Sequence, residues 1–262
     1  MWCSIRDRTI QNINLSGERI SCKVCGHPAV FFGAVDFNKN PEGALPFAGV
    51  SIPYHRCESC GLIFSTAFDT WSNDDFRAHI YNDDYVKVDP EYVSARPLAW
   101  ADAVAAFALK HGGNPRILDY GGGSGLMARA LREKGLSAVS WDPMKPEVPP
   151  EPHTFDIVTC FEVLEHTPTP KKSAKEILAF LAPAGVVIFS TLVSDSWSPC
   201  DVNFWYVAPR NGHITIHTKN SLRTLFGAFG YRVHHMTDDV HMAFQTPPSW
   251  MMAPTAAKQS AP

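Results

Sequence analysis

The sequence has no excess of one charge, no extended basic segment and no long apolar run. Lys and Arg number 23 against 26 Asp and Glu, which gives a net charge of −3. The longest basic run is the pair Lys171–Lys172, so a broad nucleic-acid surface is not expected, although a small basic patch would be compatible with this composition. The longest apolar stretches, such as residues 185–193, fall far short of the ~20 residues of a membrane helix, so no membrane partner is expected.

The N-terminal segment, MWCSIRDRTIQNINLSGERI, also has no apolar region of the kind found in a secretory signal. We therefore expect a cytoplasmic protein whose seven cysteines are reduced. In such a protein, closely spaced cysteine pairs indicate a metal site or redox chemistry before a disulfide framework.

Two CxxCG units stand in the first part of the chain, at residues 22–26 and 57–61. Each unit presents two thiolates from one tight turn, which its glycine eases, and two such knuckles complete a tetrahedral zinc site. A redox dithiol and a metal-free pair of turns are the alternatives. Four protein ligands leave no open position, so the zinc is expected to stabilise a segment too short to fold on apolar burial alone. The predicted ligands of this structural zinc are Cys22, Cys25, Cys57 and Cys60.

Composition divides the chain into four segments. Residues 1–65 hold the knuckles and short β-prone runs, and residues 66–92 form an aromatic, acidic connector or lid. Residues 93–245 alternate between helical and strand patterns, and the Pro- and Ala-rich residues 246–262 are expected to form a flexible tail.

Apolar strands separated by amphipathic helices follow one another in the third segment. The strands are expected at residues 116–120, 137–141, 155–161 and 185–191. This alternation predicts an α/β fold with a doubly wound, mostly parallel sheet, beside a small N-terminal zinc-ribbon-like domain.

A glycine-rich loop, DYGGGSG, follows the first of these strands and precedes a helix. It is not the GxGxxG dinucleotide fingerprint, because Leu126 stands at the last position. Asp119 can hold an ammonium group, and the loop amides with the helix N-terminus favour a carboxylate. Asp142, after the next strand, is placed to accept the hydroxyls of a ribose. An amino acid joined to a nucleoside is S-adenosylmethionine (SAM), so we predict a SAM site; a structural turn is the alternative.

The motifs ILDYGGGSG, SWDP, FDIVTCFEVLEHTPTP and LAPAGVVIFST resemble those of class I (Rossmann-like) SAM-dependent methyltransferases. FEVLEH particularly resembles the ubiquinone-biosynthesis O-methyltransferases, and residues 204–233 resemble a bacterial subgroup acting on small molecules or sugars. The knuckles followed by CGLIF resemble the zinc-binding domain of sugar C-methyltransferases. The resemblance over residues 93–236 implies that SAM is bound by Asp119, Tyr120, Gly121, Gly122, Gly123, Gly125, Asp142, Pro143, Phe161, Glu162 and Val163.

Residues 143–154 depart from that family pattern. Five prolines lie in this stretch, where the family usually has a helix and a third strand. Because proline removes a donor and fixes φ, we expect a loop there. A third strand would stand at the sheet edge, so its loss should leave the central strand pairs intact and the adenine contacts unassigned.

Glu165, His166 and His213 are the candidate catalytic residues. His166 is the preferred general base and His213 the preferred acceptor contact, since histidine titrates near neutral pH. Glu165 either orients His166, or contacts a metal with it as in the ubiquinone enzymes; a purely structural role for each is the alternative. Further candidates are Tyr206, Arg210 and His217 near the acceptor and Tyr81, Tyr85 and Arg96 in a lid, whereas no role is assigned to Cys160, Cys200, His234, His235 and His241.

The resulting hypothesis is a SAM-dependent methyltransferase that acts on a small-molecule acceptor, such as a sugar or secondary metabolite, by in-line displacement. A zinc-containing RNA methyltransferase is one alternative, which a basic face beside the cleft would favour. A non-catalytic SAM-binding or interaction protein is another, which the intact loop acids disfavour.

Overall fold

The computed structural model describes residues 19–111 and 114–247. The apolar stripe of residues 100–108 predicts a helix that ends at Gly112–Gly113; this helix end and the tail beyond residue 247 lie outside the described residues. Within the described part of the chain, no helix is both long enough and apolar enough to cross a membrane. The cytoplasmic location stays a prediction.

An antiparallel sheet of five strands contains both knuckles. The first knuckle joins its first two strands and the second joins the next two. The last strand comes from the predicted α/β segment, so a domain boundary near residue 65 stays a prediction. The strands, in order across the sheet, are β1 (Ile20–Ser21), β2 (Pro28–Asp36), β3 (Ser51–Cys57), β4 (Ile63–Phe64) and β9 (Thr215–Ile216).

The connector folds as α1 (Asn73–His79) and α2 (Tyr85–Val88), followed by a 3-10 turn at Pro90–Val93. Helix α1 begins with a capping box, in which the Ser72 side chain accepts from Asp75 N and the Asp75 side chain accepts from Ser72 N. Apolar side chains of both helices are buried with those of β2 and β3. The connector therefore packs on the five-stranded sheet.

In the described part of the chain, a second sheet has six strands, and the four that form one edge and the centre are parallel neighbours. Two antiparallel strands complete the opposite edge. The predicted α/β class is confirmed. In order across the sheet, the strands are β10 (Arg232–His235), β11 (Val240–Phe244), β8 (Leu181–Ser190), β7 (Phe155–Phe161), β5 (Arg116–Tyr120) and β6 (Ser137–Trp141).

Within the described residues, four helices accompany this sheet, and their apolar stripes face its core as the 3.6-residue period predicts. Thr169 followed by Pro170 predicts an N-cap and first turn, and Thr169 does precede the third of these helices, but its side chain makes no capping hydrogen bond. The apolar spacing of residues 174–181 predicts that this helix reaches Leu181, but Leu181 is the first residue of β8, where it is buried with the apolar face of the helix. The helices are α3 (Ala95–His111), α4 (Leu126–Glu133), α5 (Pro170–Ala179) and α6 (Lys219–Gly227).

Residues 143–154 contain neither helix nor strand, so the predicted loss of the third strand is confirmed. Strand β6 stands at the edge of the sheet, where a missing neighbour leaves the central pairs in place. The prolines explain the loop, because they cannot donate to a strand ladder.

One apolar cluster runs from the knuckles into the six-stranded sheet. Cys22, Cys57 and Cys60 share it with Phe189 of β8 and Phe226 of α6, whose ring centroids lie 5.0 Å apart. Apolar burial stabilises roughly in proportion to area. The knuckles and the α/β core therefore stabilise one another.

Candidate functional site

The two knuckles bring the four predicted zinc ligands together. All four sulfur atoms lie within 4.8 Å of one another, with Sγ–Sγ distances of 3.6 Å for Cys22 and Cys60 and 3.4 Å for Cys25 and Cys57. Gly26 and Gly61 each have φ +76°, a left-handed conformation that glycine adopts without strain. Both turns are therefore closed by the residue type they require.

The donor set and the close packing of the four sulfur atoms fit a metal. The hydrogen bond between Cys60 and Cys22 lowers the pKa of Cys22 to about 5 and raises the pKa of Cys60. Backbone amides also point at sulfur, from Val24 to Cys22 and from Ser59 to Cys57, each at 3.4 Å. Four sulfur ligands form the closed donor set of structural zinc.

Asp119 lies under the glycine loop and is only 4% exposed. The hydroxyl of Ser140 donates to its carboxylate at 3.4 Å, yet burial raises the pKa of Asp119 to about 7. No Lys or Arg side chain pairs with it among the described residues. A ligand ammonium group would supply the missing positive charge and restore the ionised carboxylate.

The loop glycines leave room that side chains would fill. A Cβ on Gly122 would overlap the carboxylate of Asp119 and the hydroxyl of Ser140, and one on Gly121 would lie 2.5 Å from Val163 Cγ2. Gly121 has φ +73°. The loop therefore lies against the FEVLEH segment as closely as glycine permits.

Asp142 lies directly beside this loop. Its Oδ2 accepts from Gly123 N at 3.0 Å and its Oδ1 accepts from Met144 N at 2.8 Å. Each carboxylate oxygen has a second lone pair, so ribose hydroxyls can be accepted in addition to these amides. The carbonyl oxygen of Pro143 accepts a hydrogen bond from Asn73 Nδ2 at 3.1 Å. This contact connects the segment after Asp142 to α1.

The other predicted cofactor residues differ in what their side chains contact. The hydroxyl of Tyr120 donates to Glu176 Oε2 at 2.8 Å, so its side chain points into the core. The rings of Phe161 and Trp100 stack at 4.1 Å. Glu162, at φ +53°, accepts from the hydroxyl of Ser190 at 2.6 Å. The cofactor roles of these residues stay predictions.

The three candidate catalytic side chains converge. One ligand atom each from Glu165, His166 and His213 lies within 4.8 Å of the others. Glu165 is fully buried, and its Oε1 accepts from the hydroxyl of Tyr206 at 2.7 Å. Burial, with Glu162 nearby, raises the pKa of Glu165 to about 8. One oxygen and two nitrogens could also hold a divalent cation.

Both histidines of this cluster are neutral. Burial lowers the pKa of His213 to about 4 and that of His166 well below its usual value. His213 Nδ1 lies 2.9 Å from the carbonyl oxygen of Tyr206. A carbonyl only accepts, so Nδ1 carries the proton and Nε2 of the neutral ring keeps a free lone pair. The two rings lie 5.1 Å apart.

A sequence model for a methyltransferase domain matches residues 92–236, more than half of the chain. The chain belongs to this methyltransferase family. Its predicted class, a SAM-dependent methyltransferase, is thereby confirmed.

Curated relatives of this methyltransferase include ubiquinone biosynthesis O-methyltransferases. That of Idiomarina loihiensis is 29% identical over 149 residues, which cover 40% of this chain and 61% of the relative. That of Burkholderia multivorans is 31% identical over 120 residues, covering 36% of this chain and 50% of the relative. The match thus spans less than two thirds of either relative.

Among solved structures, the 1,6-didemethyltoxoflavin-N1-methyltransferase of Burkholderia thailandensis, determined with 1,6-didemethyltoxoflavin and S-adenosylhomocysteine, is similar with a TM-score of 0.46. It is 16% identical, and the alignment covers 74% of this chain and 96% of that chain.

Two predicted acceptor-side residues of the methyltransferase have other partners. Arg210 donates to the carbonyl oxygen of Ile80 at 2.7 Å and to Asn82 Oδ1 at 2.8 Å, which anchors the connector. His217 Nδ1 lies 3.1 Å from the hydroxyl of Ser221 at the start of α6. Neither belongs to the Glu165 cluster.

The expected lid residues make similar structural contacts. Arg96 forms two hydrogen bonds with the Asp89 carboxylate, at 2.9 and 2.8 Å. The hydroxyl of Tyr85 donates to the carbonyl oxygen of Asn211 at 3.3 Å. Tyr81 lies closer to the cluster, with its ring centroid 6.2 Å from that of His166.

Sequence reasoning missed two residues that position the histidines. Gly212 has φ +88°, and a Cβ there would lie 2.6 Å from His166 Nδ1. Its position in the turn PRNGH was the available signal. The hydroxyl of Tyr54 donates to the carbonyl oxygen of His213 at 2.7 Å, and no local pattern in β3 indicates this contact.

Proposed function

We propose that this methyltransferase methylates a small molecule with an ionisable hydroxyl, bound between the glycine loop and the Glu165–His166–His213 cluster. The observation that carries the proposal is the convergence of a buried carboxyl and a neutral histidine at the end of the FEVLEH turn, Glu165 and His166, with a second neutral histidine, His213. A proton acceptor is needed only when the acceptor must lose a proton. The curated relatives are O-methyltransferases of ubiquinone biosynthesis, which supports a hydroxyl acceptor.

On this proposal, the cofactor is bound by the loop and its two acids. Asp119 holds the ammonium group, the amides of residues 121–125 face the carboxylate, and Asp142 accepts the ribose hydroxyls. The buried, cation-free Asp119 and the space kept by Gly122 fit this ligand. When bound, SAM supplies a methyl group on a sulfonium, whose carbon–sulfur bond breaks as the acceptor oxygen attacks.

The cluster manages the acceptor and its proton. The attacking hydroxyl donates its one proton to a ring nitrogen of His166, which takes that proton, and the ring of His213 contacts the acceptor from the opposite side. Tyr206 fixes the tautomer of His213 through its carbonyl oxygen and orients Glu165 through its hydroxyl. Burial excludes water from this reaction centre.

We also propose a structural zinc ion at Cys22, Cys25, Cys57 and Cys60. Metal analysis of chelator-free protein should give about one zinc per chain. A second equivalent that is lost in His213→Ala would indicate a metal at the Glu165 cluster. Protein without zinc, with all four thiols reactive, would contradict the proposal.

The acceptor class is tested with methyl-labelled SAM. The protein is incubated with an ultrafiltered metabolite extract or with total RNA, and the labelled fraction is identified. We expect label in small molecules, at a level that Asp119→Ala strongly reduces. Label confined to RNA would favour the RNA methyltransferase, and SAM binding without transfer to either pool would favour a non-catalytic protein.

A further inference from the structure

Residues 213–218, here called the strap, are bound along one side by the N-terminal sheet. The hydroxyl of Tyr54 holds the carbonyl oxygen of His213 at 2.7 Å, and Ser65 N donates to Ile214 O at 2.9 Å. Strand β4 then pairs with β9 inside the strap. The strap is therefore the last strand of the knuckle-bearing sheet.

The opposite side of the strap is hydrogen-bonded to residues 165–167, the turn that carries Glu165 and His166. Ile214 N donates to the carbonyl oxygen of Glu165 at 2.9 Å. The hydroxyl of Thr215 donates to the carbonyl oxygen of Thr167 at 2.7 Å. A displacement of the strap therefore moves both His213, at its first position, and the turn that carries Glu165.

The second knuckle contacts the far end of the strap. The hydroxyl of Thr218 donates to the carbonyl oxygen of Cys60 at 2.5 Å. Gly61 has φ +76°, and a Cβ there would lie 2.9 Å from Thr218 Cγ2. Thr218 also caps α6 by accepting from Ser221 N. A predicted zinc ligand is thus one hydrogen bond from the strap.

The cofactor loop is connected differently. Its acids and amides bond with one another and with Ser140 and Met144. Within residues 19–111 and 114–247, no hydrogen bond joins the five-stranded sheet's residues 19–65 to residues 119–125 or to Asp142. The loop can keep its shape when the knuckles change theirs.

We propose that the second knuckle is a positioning device for the acceptor side of the cleft. A metal bound by the four cysteines would hold residues 57–61 in place. These residues then hold the strap through Thr218, and the strap in turn positions His213 and the turn that carries Glu165. The part of the SAM site formed by residues 119–125 and Asp142 keeps its shape without this support. Gly61 and Thr218 are accordingly positioning residues, and the inference rests on the proposed zinc site and on the proposed role of His213.

The two knuckle glycines provide a matched test. Gly26 and Gly61 share φ +76°, but a Cβ on Gly26 meets nothing within 4 Å. Gly26→Ala and Gly61→Ala thus introduce the same backbone strain, and only Gly61→Ala pushes on Thr218. Hydrogen exchange of the strap, zinc content and S-adenosylhomocysteine affinity are measured on each full-length variant.

We expect the amide hydrogens of the strap to exchange about tenfold faster or more in Gly61→Ala than in Gly26→Ala, with the zinc content of both variants unchanged. Its S-adenosylhomocysteine affinity should stay within about twofold of the wild type. Removal of zinc from the wild type by a chelator should have the same two effects. Equal strap exchange in both variants, or loss of S-adenosylhomocysteine binding in step with faster exchange, would overturn the proposal.

Failure of this inference can be distinguished from failure of the proposed methyltransferase function. A wild type purified without zinc would overturn the inference at its metal, while leaving the methyltransferase proposal intact. A wild type that binds zinc but not S-adenosylhomocysteine would refute the proposed cofactor site, and the strap comparison of the two alanine variants would still decide the mechanical coupling.

Discussion

The proposed cofactor side and the proposed acceptor side of this protein are built in different ways. The glycine loop and the two acids of the cofactor side come from one strand, one loop and the end of the next strand, where Gly123 N donates directly to Asp142. The acceptor side joins distant parts of the chain, for example Tyr54 and His213, which are 159 positions apart. A site made by a contiguous segment can be stable by itself, whereas one assembled from several segments depends on everything that packs behind it.

The largest effect is expected from variants that change the acceptor side and leave the cofactor side intact. His166→Ala or His213→Ala should lower turnover by about 100-fold or more and leave SAM affinity nearly unchanged, because a proton acceptor is lost and the loop is not. Steady-state rates on the identified acceptor and calorimetry with S-adenosylhomocysteine measure the two effects. The matched control is His234→Ala, since His234 is an exposed residue of β10. Near-wild-type turnover in both variants would remove the histidines from the chemistry.

The next effect breaks the cofactor side alone. Asp142→Ala should weaken S-adenosylhomocysteine binding by about 1–3 kcal/mol, as expected for lost hydrogen bonds to a charged group. Glu151, exposed in the following loop, provides the control variant Glu151→Ala. Equal affinity of wild type and Asp142→Ala in calorimetry would reject the ribose assignment.

Tyr206→Phe tests how the acceptor side is supported. The variant removes the hydroxyl that donates to Glu165 and that accepts from Leu192 N at 3.2 Å. It should cost about 1–3 kcal/mol of unfolding free energy, because buried polar groups lose their partner. Denaturant unfolding of Tyr206→Phe and of Tyr92→Phe, a change at a 45% exposed tyrosine, gives the comparison. An unchanged midpoint would show that Glu165 does not need this donor.

The smallest expected effect is a pH dependence of cofactor affinity, which tests the role of Asp119. The pKa of Asp119 is about 7 in the free protein, and a bound ammonium group lowers it, so binding releases a proton below pH 7. Affinity for S-adenosylhomocysteine should therefore be constant above pH 7 and fall about tenfold per pH unit below it. Methylthioadenosine, which has no ammonium group, and the variant Asp119→Asn should both lack this slope. The same slope for either would place the titration elsewhere.

The difference between a contiguous segment and an assembly of distant segments also decides which features can be predicted from the sequence. Strands β5, β6 and β7 have the bounds expected from their apolar runs, because a short buried strand is recognisable from its own residues. Asp119 and Asp142, near the ends of β5 and β6, follow from the same strand pattern, and their cofactor roles stay predictions. By contrast, β9 has two residues, and its pairing with β4 exists only in the folded chain.

Residue type alone also misplaces side chains. Arg210 and His217 have the chemistry of acceptor contacts, yet one anchors the connector and the other lies at the start of α6. Which partner a buried polar group finds depends on long-range packing. The role of Tyr54 is hidden for the same reason.

A crystal structure with S-adenosylhomocysteine tests the account most directly. The amino-acid end should lie on residues 121–125 with its ammonium group on Asp119, and Asp142 should accept the ribose hydroxyls. The sulfur should then face the Glu165–His166–His213 cluster across a space open to an acceptor. A ligand bound in this loop with its sulfur directed away from that cluster would contradict the account.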